Sequence, residues 1–219
     1  IILSSSVMIF SGCATSRSVI AVPPAAVNYD QAALQKVAVI QSIQDRRVFE
    51  DAPRQANIPS LKGGKASAAD AELKAQAFAR KRNGFGKALG DVVLENGQTV
   101  NALVEQRIQS ALNKAGYKVV PAHSNIASDL KLNVEIDKFW LWLQPGAWNV
   151  GLYSEIETSI RSDLHTAPIV VHSKSETRHA AVTDGAWLAA LNKALDDYEA
   201  QLLAELKKMQ QLLLHGRGF

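Results

Sequence analysis

From Asp129 to Val182 the chain alternates apolar and polar residues over three successive stretches, each cut from the next by a turn signal. In the first, 129–143, Leu130, Leu132, Val134 and Ile136 stand opposite Lys131, Asn133, Glu135 and Asp137. A period of two sends the first set to one face of a sheet and the second to the other. From Phe139 both faces turn apolar: Phe139, Leu141 and Leu143 point one way, Trp140 and Trp142 the other. Either something covers both faces there or a bulge intervenes. Gln144-Pro145-Gly146-Ala147 is a turn. Trp148, Val150, Leu152, Ile156 and Ile160 then resume the alternation, and Ala167-Pro168 precedes a third, more polar stretch, 169–182. Strands joined by short turns predict an antiparallel meander.

After the meander the period becomes helical. Trp187, Leu191, Leu195, Tyr198, Leu202, Leu206, Met209 and Leu213 recur every three or four residues, with Asp184 in position to cap. A helix from Asp184 to about Leu214 is roughly 45 Å long at 1.5 Å per residue, longer than a strand of ~10 residues. Its C-terminal end, with Leu206, Met209 and Leu213, is therefore expected to overhang the sheet and meet a partner. A second helix, 98–115, carries the stripe Val100, Leu103, Val104, Ile108, Ala111, Leu112 and Ala115, with Thr99 as N-cap and Gly116 just past its end. Lys36–Ile43 reads as a first strand and Tyr117–Val120 as a short one. Two amphipathic helices need one sheet face to bury their stripes. The expected fold is α+β and two-layered: an antiparallel β meander packed by two amphipathic helices, with an N-terminal strand joining the sheet. With 219 residues, 47% hydrophobic and 21% charged, the chain suffices for one such domain.

The N-terminus points to an address. Ile1–Phe10 is apolar or small and uncharged, too short to span a bilayer but suited to the apolar part of an export signal. It starts on Ile1 with no basic segment before it, so residues 1–12 are read as the remainder of a signal. Ser11 and Gly12 then precede Cys13, the single cysteine. Small residues before a lone cysteine, after an apolar run, resemble a bacterial lipobox, in which the signal is cut and the thiol acylated. Phe10 stands where an aliphatic residue is usual. Several acyl chains on Cys13 give a durable anchor where a single chain does not. Ala14, rather than Asp, follows the cysteine, which by the same resemblance implies the outer membrane. Residues 13–35 are expected to be a lipid-anchored flexible linker, 36–214 a single periplasmic domain, and 215–219 a tail.

Within that domain, 48–97 is an irregular excursion, broken by Pro53, Pro59 and Gly63-Gly64. Ala68–Arg82 is rich in helix formers and is expected to be helical. Arg80, Lys81, Arg82 and Lys87, with Lys74, form a basic run with no acid between them. This is either a solvated helix face or a surface for anionic lipid head groups or an acidic partner. Nucleic acid is excluded as a partner by the export signal, and the net charge of +3 does not favour it.

The layout resembles a family. A lipobox cysteine precedes a Val-Ala-Val strand, then a helix followed by Gly116-Tyr117-Lys118-Val119-Val120, then Ser128-Asp129-Leu130-Lys131-Leu132 and a meander closing in a long helix. This is similar to the YajG-type bacterial lipoproteins. The resemblance implies a lipobox followed by a periplasmic α+β domain, and brings no catalytic residue with it.

A search for chemistry finds little. Asn83–Gly90 is glycine-rich, but Lys87 is followed by Ala88 rather than Ser or Thr, and no strand leads into it, so a phosphate loop is rejected. His172 and His179 are an odd number of residues apart and face opposite sides of one strand, and no helical His pair occurs, so no metal site or cofactor is expected. Glu155 and Glu157 share a strand face and read as solvated charges. No Gly-x-Ser-x-Gly elbow is present. Trp140, Trp142 and Trp148 gather about one hairpin, either as core under the last helix or as an interaction surface. The reading is a non-enzymatic, outer-membrane-anchored envelope interaction module. It would contact an envelope protein partner or a second copy through the Trp140–Trp148 hairpin and the distal last helix. The alternatives are an accessory lipoprotein of a transport, secretion or flagellar assembly system and, behind it, a periplasmic hydrolase.

Overall fold

The computed structural model describes residues 16–24, 34–63, 66–83, 85–146 and 148–215, with side chains as far as 212. Its strands are β1 (Ser18–Ile20), β2 (Lys36–Asp45), β3 (Ala77–Arg82), β4 (Ala88–Leu94), β5 (Tyr117–Val120), β6 (Leu130–Pro145), β7 (Val150–Ser162) and β8 (Ile169–His179). The helices are α1 (Ala71–Gln76), α2 (Val100–Lys114) and α3 (Asp184–His215). All eight strands share one mixed sheet.

The meander exists as expected: β6 pairs antiparallel with β7 from Leu132↔Ser162 to Pro145↔Val150, and β7 pairs antiparallel with β8. The rest of the sheet is not a meander. The other edge of β6 takes two partners in succession. Strand β2 runs parallel to its first half, from Ala38↔Leu130 to Asp45↔Ile136, and β3 meets its second half in parallel at Ala79↔Leu141. Beyond β2 lies β5, also parallel. Beyond β3 lie β4, antiparallel, and then β1, parallel to β4.

A bulge explains the doubled apolar pattern of β6. The register with β7 shifts between Ile136 and Lys138, which inserts Asp137 as an extra residue. Leu130, Leu132, Val134 and Ile136 therefore share the inner face with Phe139 and Leu141, and all six are buried in one core with the stripes of α2 and α3. The helical layer covers this face only. Over part of the other face, Leu61, Ala77, Val93 and Trp140 form a second, smaller core with Phe49, Leu73 and Trp142. The excursion is thus a cover, and the molecule is three-layered where it lies.

Three local expectations change. Ala68–Arg82 is not one helix. Asp70 caps a six-residue α1, and Ala77–Arg82 becomes β3, because pairing with β4 and β6 buries Ala77, Phe78 and Ala79 completely, and that burial outweighs helix propensity. Residues 13–35 are not all linker, since β1 is a strand of the sheet with Ile20 and Val22 in the core. The cap of α3 is Thr183, whose hydroxyl accepts from the Ala186 N–H, while Asp184 accepts a hydrogen bond from Ser18.

Candidate functional site

The outer sheet face under the excursion is where charged residues converge. Arg47 holds the excursion's start. Its side chain is fully buried (0% exposed). It bonds Asp45 through Nε at 2.8 Å and through Nη2 at 2.7 Å. It also donates to the carbonyls of Ala77 at 2.6 Å, Lys74 at 2.7 Å and Phe139 at 3.3 Å. Three carbonyls from α1, the start of β3 and β6 are thereby satisfied by one side chain. Phe49 then packs edge-on against Trp140, whose indole N–H donates to the Ala56 carbonyl at 3.1 Å. Trp140 is thus covered by its own chain rather than offered to a partner. Trp142 is half-buried and stacks on Tyr153, its cross-strand neighbour. Trp148 alone of the hairpin's three tryptophans is open, at 96% exposure.

The basic run is mostly structural. Arg80 is buried, 3.9 Å from the buried Asp91 and bonded to the Ser60 hydroxyl at 3.1 Å, while Asp91 accepts from the Lys62 N–H at 2.8 Å. Arg82 is half-buried and donates to the carbonyls of Pro53 and Gly86. Burial lowers the affinity of both guanidiniums for their proton. Lys81 reaches the Ser16 carbonyl at 3.1 Å. Of the four residues expected to meet anions, only Lys87 is exposed.

Beside the excursion, Glu155, Glu157 and His172 come together across β7 and β8, their ligating atoms all within 4.8 Å of one another. His172 Nε2 lies 2.6 Å from Glu155, and the Lys138 ammonium lies 3.3 Å from Glu155 and 3.4 Å from Glu157. Lys174 is 3.5 Å from Glu155. Burial alone would raise the Glu155 carboxyl's pKa, but the hydrogen bonds from His172 and Lys138 hold it below the usual range. Two carboxylates and an imidazole are chemically able to hold a divalent cation, but the Lys138 ammonium already lies between the two acids and competes for them. The cluster borders a cleft of about 310 Å³ lined by Val48, Asn57, Pro59, Asp137, Trp140 and Glu155. A second buried acid, Glu199 on α3, is clamped from α2 by Lys114 at 2.6 Å, Ser110 at 2.6 Å and Arg107 at 3.1 Å.

Sequence reasoning placed Glu155 and Glu157 on one face but missed that Lys138 and His172 join them. The signal was in the register, which sets Glu157 opposite both Lys138 and His172. Leu206 and Met209 are buried in the main core, and the Gln210 amide ties the end of α3 to the Ala115 carbonyl, so they form no partner surface. Cys13 and the Leu213 side chain lie outside the described residues. Among those residues, no helix is long and apolar enough to cross a membrane.

No family model matches the chain, and no curated protein matches it. Among solved structures the fold is similar to that of a Xanthomonas campestris protein of the family model DUF330. The TM-score is 0.53 and the identity 12%, over 90% of this chain and 99% of that one. That likeness shows a shared fold. Weaker likenesses join it to an uncharacterised protein (TM-score 0.40, 10% identity, 90% of this chain and 99% of that one). A candidate lipoprotein of Caulobacter crescentus is similar at TM-score 0.29 and 15% identity, over 54% of this chain and 85% of that one.

Proposed function

We propose that the chain is an envelope lipoprotein, anchored through acylated Cys13 at the periplasmic face of the outer membrane, and that it works by binding rather than by catalysis. The observation that carries this reading is the position of β1. The chain is already fixed at the sheet's edge by Ser18, five residues after Cys13. The five residues from Cys13 to Ser18 span at most ~18 Å, so an acyl chain on Cys13 would bring this edge of the sheet to the membrane surface. The outer-face acids support the second half of the reading. Glu155 and Glu157 are each engaged by Lys138 and His172, a closed ion cluster of the kind that fixes a surface.

Intact mass spectrometry of the membrane-extracted protein from its host tests the anchor. The expected mature chain begins at an acylated Cys13, and Cys13→Ser carries no acyl group and is stripped from the membrane by a high-salt or carbonate wash that leaves the native chain in place. A chain that keeps the residues before Cys13 and carries no acyl group defeats the reading.

A further inference from the structure

One end of the sheet gathers features that no part of the core explains. Strand β1 runs parallel to β4 in the register Ser18↔Val92, which brings Ser16 beside Gly90. The β3–β4 hairpin turns just beyond, at the same end. That turn is built: the Asn83 N–H donates to the Lys87 carbonyl at 2.9 Å, and the Asn83 side-chain oxygen accepts from the N–H groups of Phe85 at 3.0 Å and Lys87 at 2.8 Å. Gly86 takes the left-handed φ of +80° that closes it. The result is to hold Phe85 at the tip with 99% of its surface exposed. Strand β3 is parallel to β6, so the C-terminal end of β6 lies at this end too. There the β6–β7 turn, closed by the Gly146 N–H on the Asn149 carbonyl at 2.9 Å, carries Trp148, 96% exposed.

Two nearly naked aromatic side chains thus stand at the rim from which the chain leads back to Cys13. Three steps along the chain lead from Cys13 to Ser16, a reach of at most ~11 Å. That is about the length of strand from Gly90 back to Lys87, three residues at ~3.4 Å each. An acyl group on Cys13 therefore meets a bilayer only if this end of the sheet is at its surface. Arg17 and Lys87 are exposed at the rim. Of the acids toward this end, Asp91 lies 3.9 Å from Arg80, Glu176 pairs with Arg178 at 2.8 Å, and Asp184 accepts a hydrogen bond from Ser18. Aromatic rings settle at the head-group level of bilayers, and basic residues are drawn to anionic lipid.

We propose that this rim docks on the membrane: Phe85 and Trp148 enter the interfacial layer of the leaflet that holds the Cys13 acyl chains, while Arg17 and Lys87 meet anionic head groups. The inference rests on the anchoring reading and adds an orientation to it. The long axis of β6 then stands away from the bilayer, and the opposite end of the sheet faces the periplasm.

The test uses the full acylated chain in vesicles of phosphatidylethanolamine and phosphatidylglycerol carrying a shallow nitroxide-labelled lipid. The Trp148 emission, taken as the difference between the native chain and Trp148→Phe, is expected to be quenched. In parallel, the unacylated Cys13→Ser chain is expected to bind the same vesicles, and Phe85→Ser with Trp148→Ser to weaken that binding by about tenfold or more. Both side chains are exposed, so circular dichroism of the double variant should match the native chain. An acylated protein whose Trp148 is not quenched overturns the rim while leaving the anchor standing. A protein found unacylated in its host removes the anchor, and the rim is then decided by the Cys13→Ser chain: binding that depends on Phe85 and Trp148 sustains it, and absence of binding overturns it.

Discussion

Glu199 shows how one buried charge can tie two helices. It sits on α3 with its side chain 7% exposed, and its three hydrogen-bond partners, Arg107, Ser110 and Lys114, all come from α2. Burial alone would raise its pKa, but the bonds from Lys114, Ser110 and Arg107 reverse that and hold it below the usual carboxylate value. A depressed folded-state pKa means that the stabilisation is present above the unfolded value, ~4.3, and is lost as pH falls through the folded one. Glu199→Gln keeps the shape and removes the charge. It is expected to lower stability by about 1.5–3 kcal/mol at neutral pH, the worth of hydrogen bonds to a charged group. The gap between variant and native chain should narrow as pH falls from the unfolded value, ~4.3, through the depressed folded one, where the native carboxyl is protonated as well. Urea unfolding at neutral pH and near pH 3 checks both parts; a gap that stays constant with pH would show that Glu199 acts through packing alone.

At the scale of elements, the chain entering β1 passes directly against Gly90. A Cβ added at Gly90 would lie 2.5 Å from the Ser16 carbonyl oxygen and 2.9 Å from its carbon, backbone atoms two residues before β1, so the chain entering the strand must shift. Gly90→Ala is therefore expected to cost about 1–3 kcal/mol, as overpacking does, and to speed amide exchange at 18–20 while leaving β6–β8 protected. Uniform exchange would mean that the edge absorbs the methyl group. The same element shows what the sequence could and could not convey. Helices α2 and α3 and the hairpin β6–β7–β8 were legible because their periodicity is written in consecutive residues. Parallel partners are not: Ser18 and Val92 pair across 92 − 18 = 74 residues, and nothing in either segment names the other. Strand β3 was read as helix because Ala, Arg and Lys favour one, while the burial that decided otherwise comes from β4 and β6. The candidate site divides the same way. The shared face of Glu155 and Glu157 is a matter of alternation, whereas their engagement by Lys138 and His172, and the burial of Arg47 and Arg80, depend on register and on the excursion's path.

For the whole molecule the question is where the folded domain begins. Strand β1 and the residues after it do more than lengthen the sheet. Ile20 and Val22 are buried in the main core, and the Ile20 carbonyl accepts from the Glu95 N–H. Val22 exchanges two hydrogen bonds with the Gln98 side chain, at 2.9 and 2.7 Å, just before α2. Ser18 bonds Asp184 at the head of α3. Residues 18–22 thus touch β4, the entry to α2 and the start of α3. A chain beginning at residue 34 is expected to lose about 3–6 kcal/mol relative to one beginning at residue 16, from two buried aliphatic side chains at ~1.5–3 kcal/mol each. That is a large share of the ~5–15 kcal/mol by which domains are stable, so the midpoint of urea unfolding should fall sharply. Equal midpoints would mean that residues 16–33 add nothing to the stability of the fold. A lowered midpoint makes β1 and the residues after it a clamp that ties the sheet's edge to the entries of both long helices.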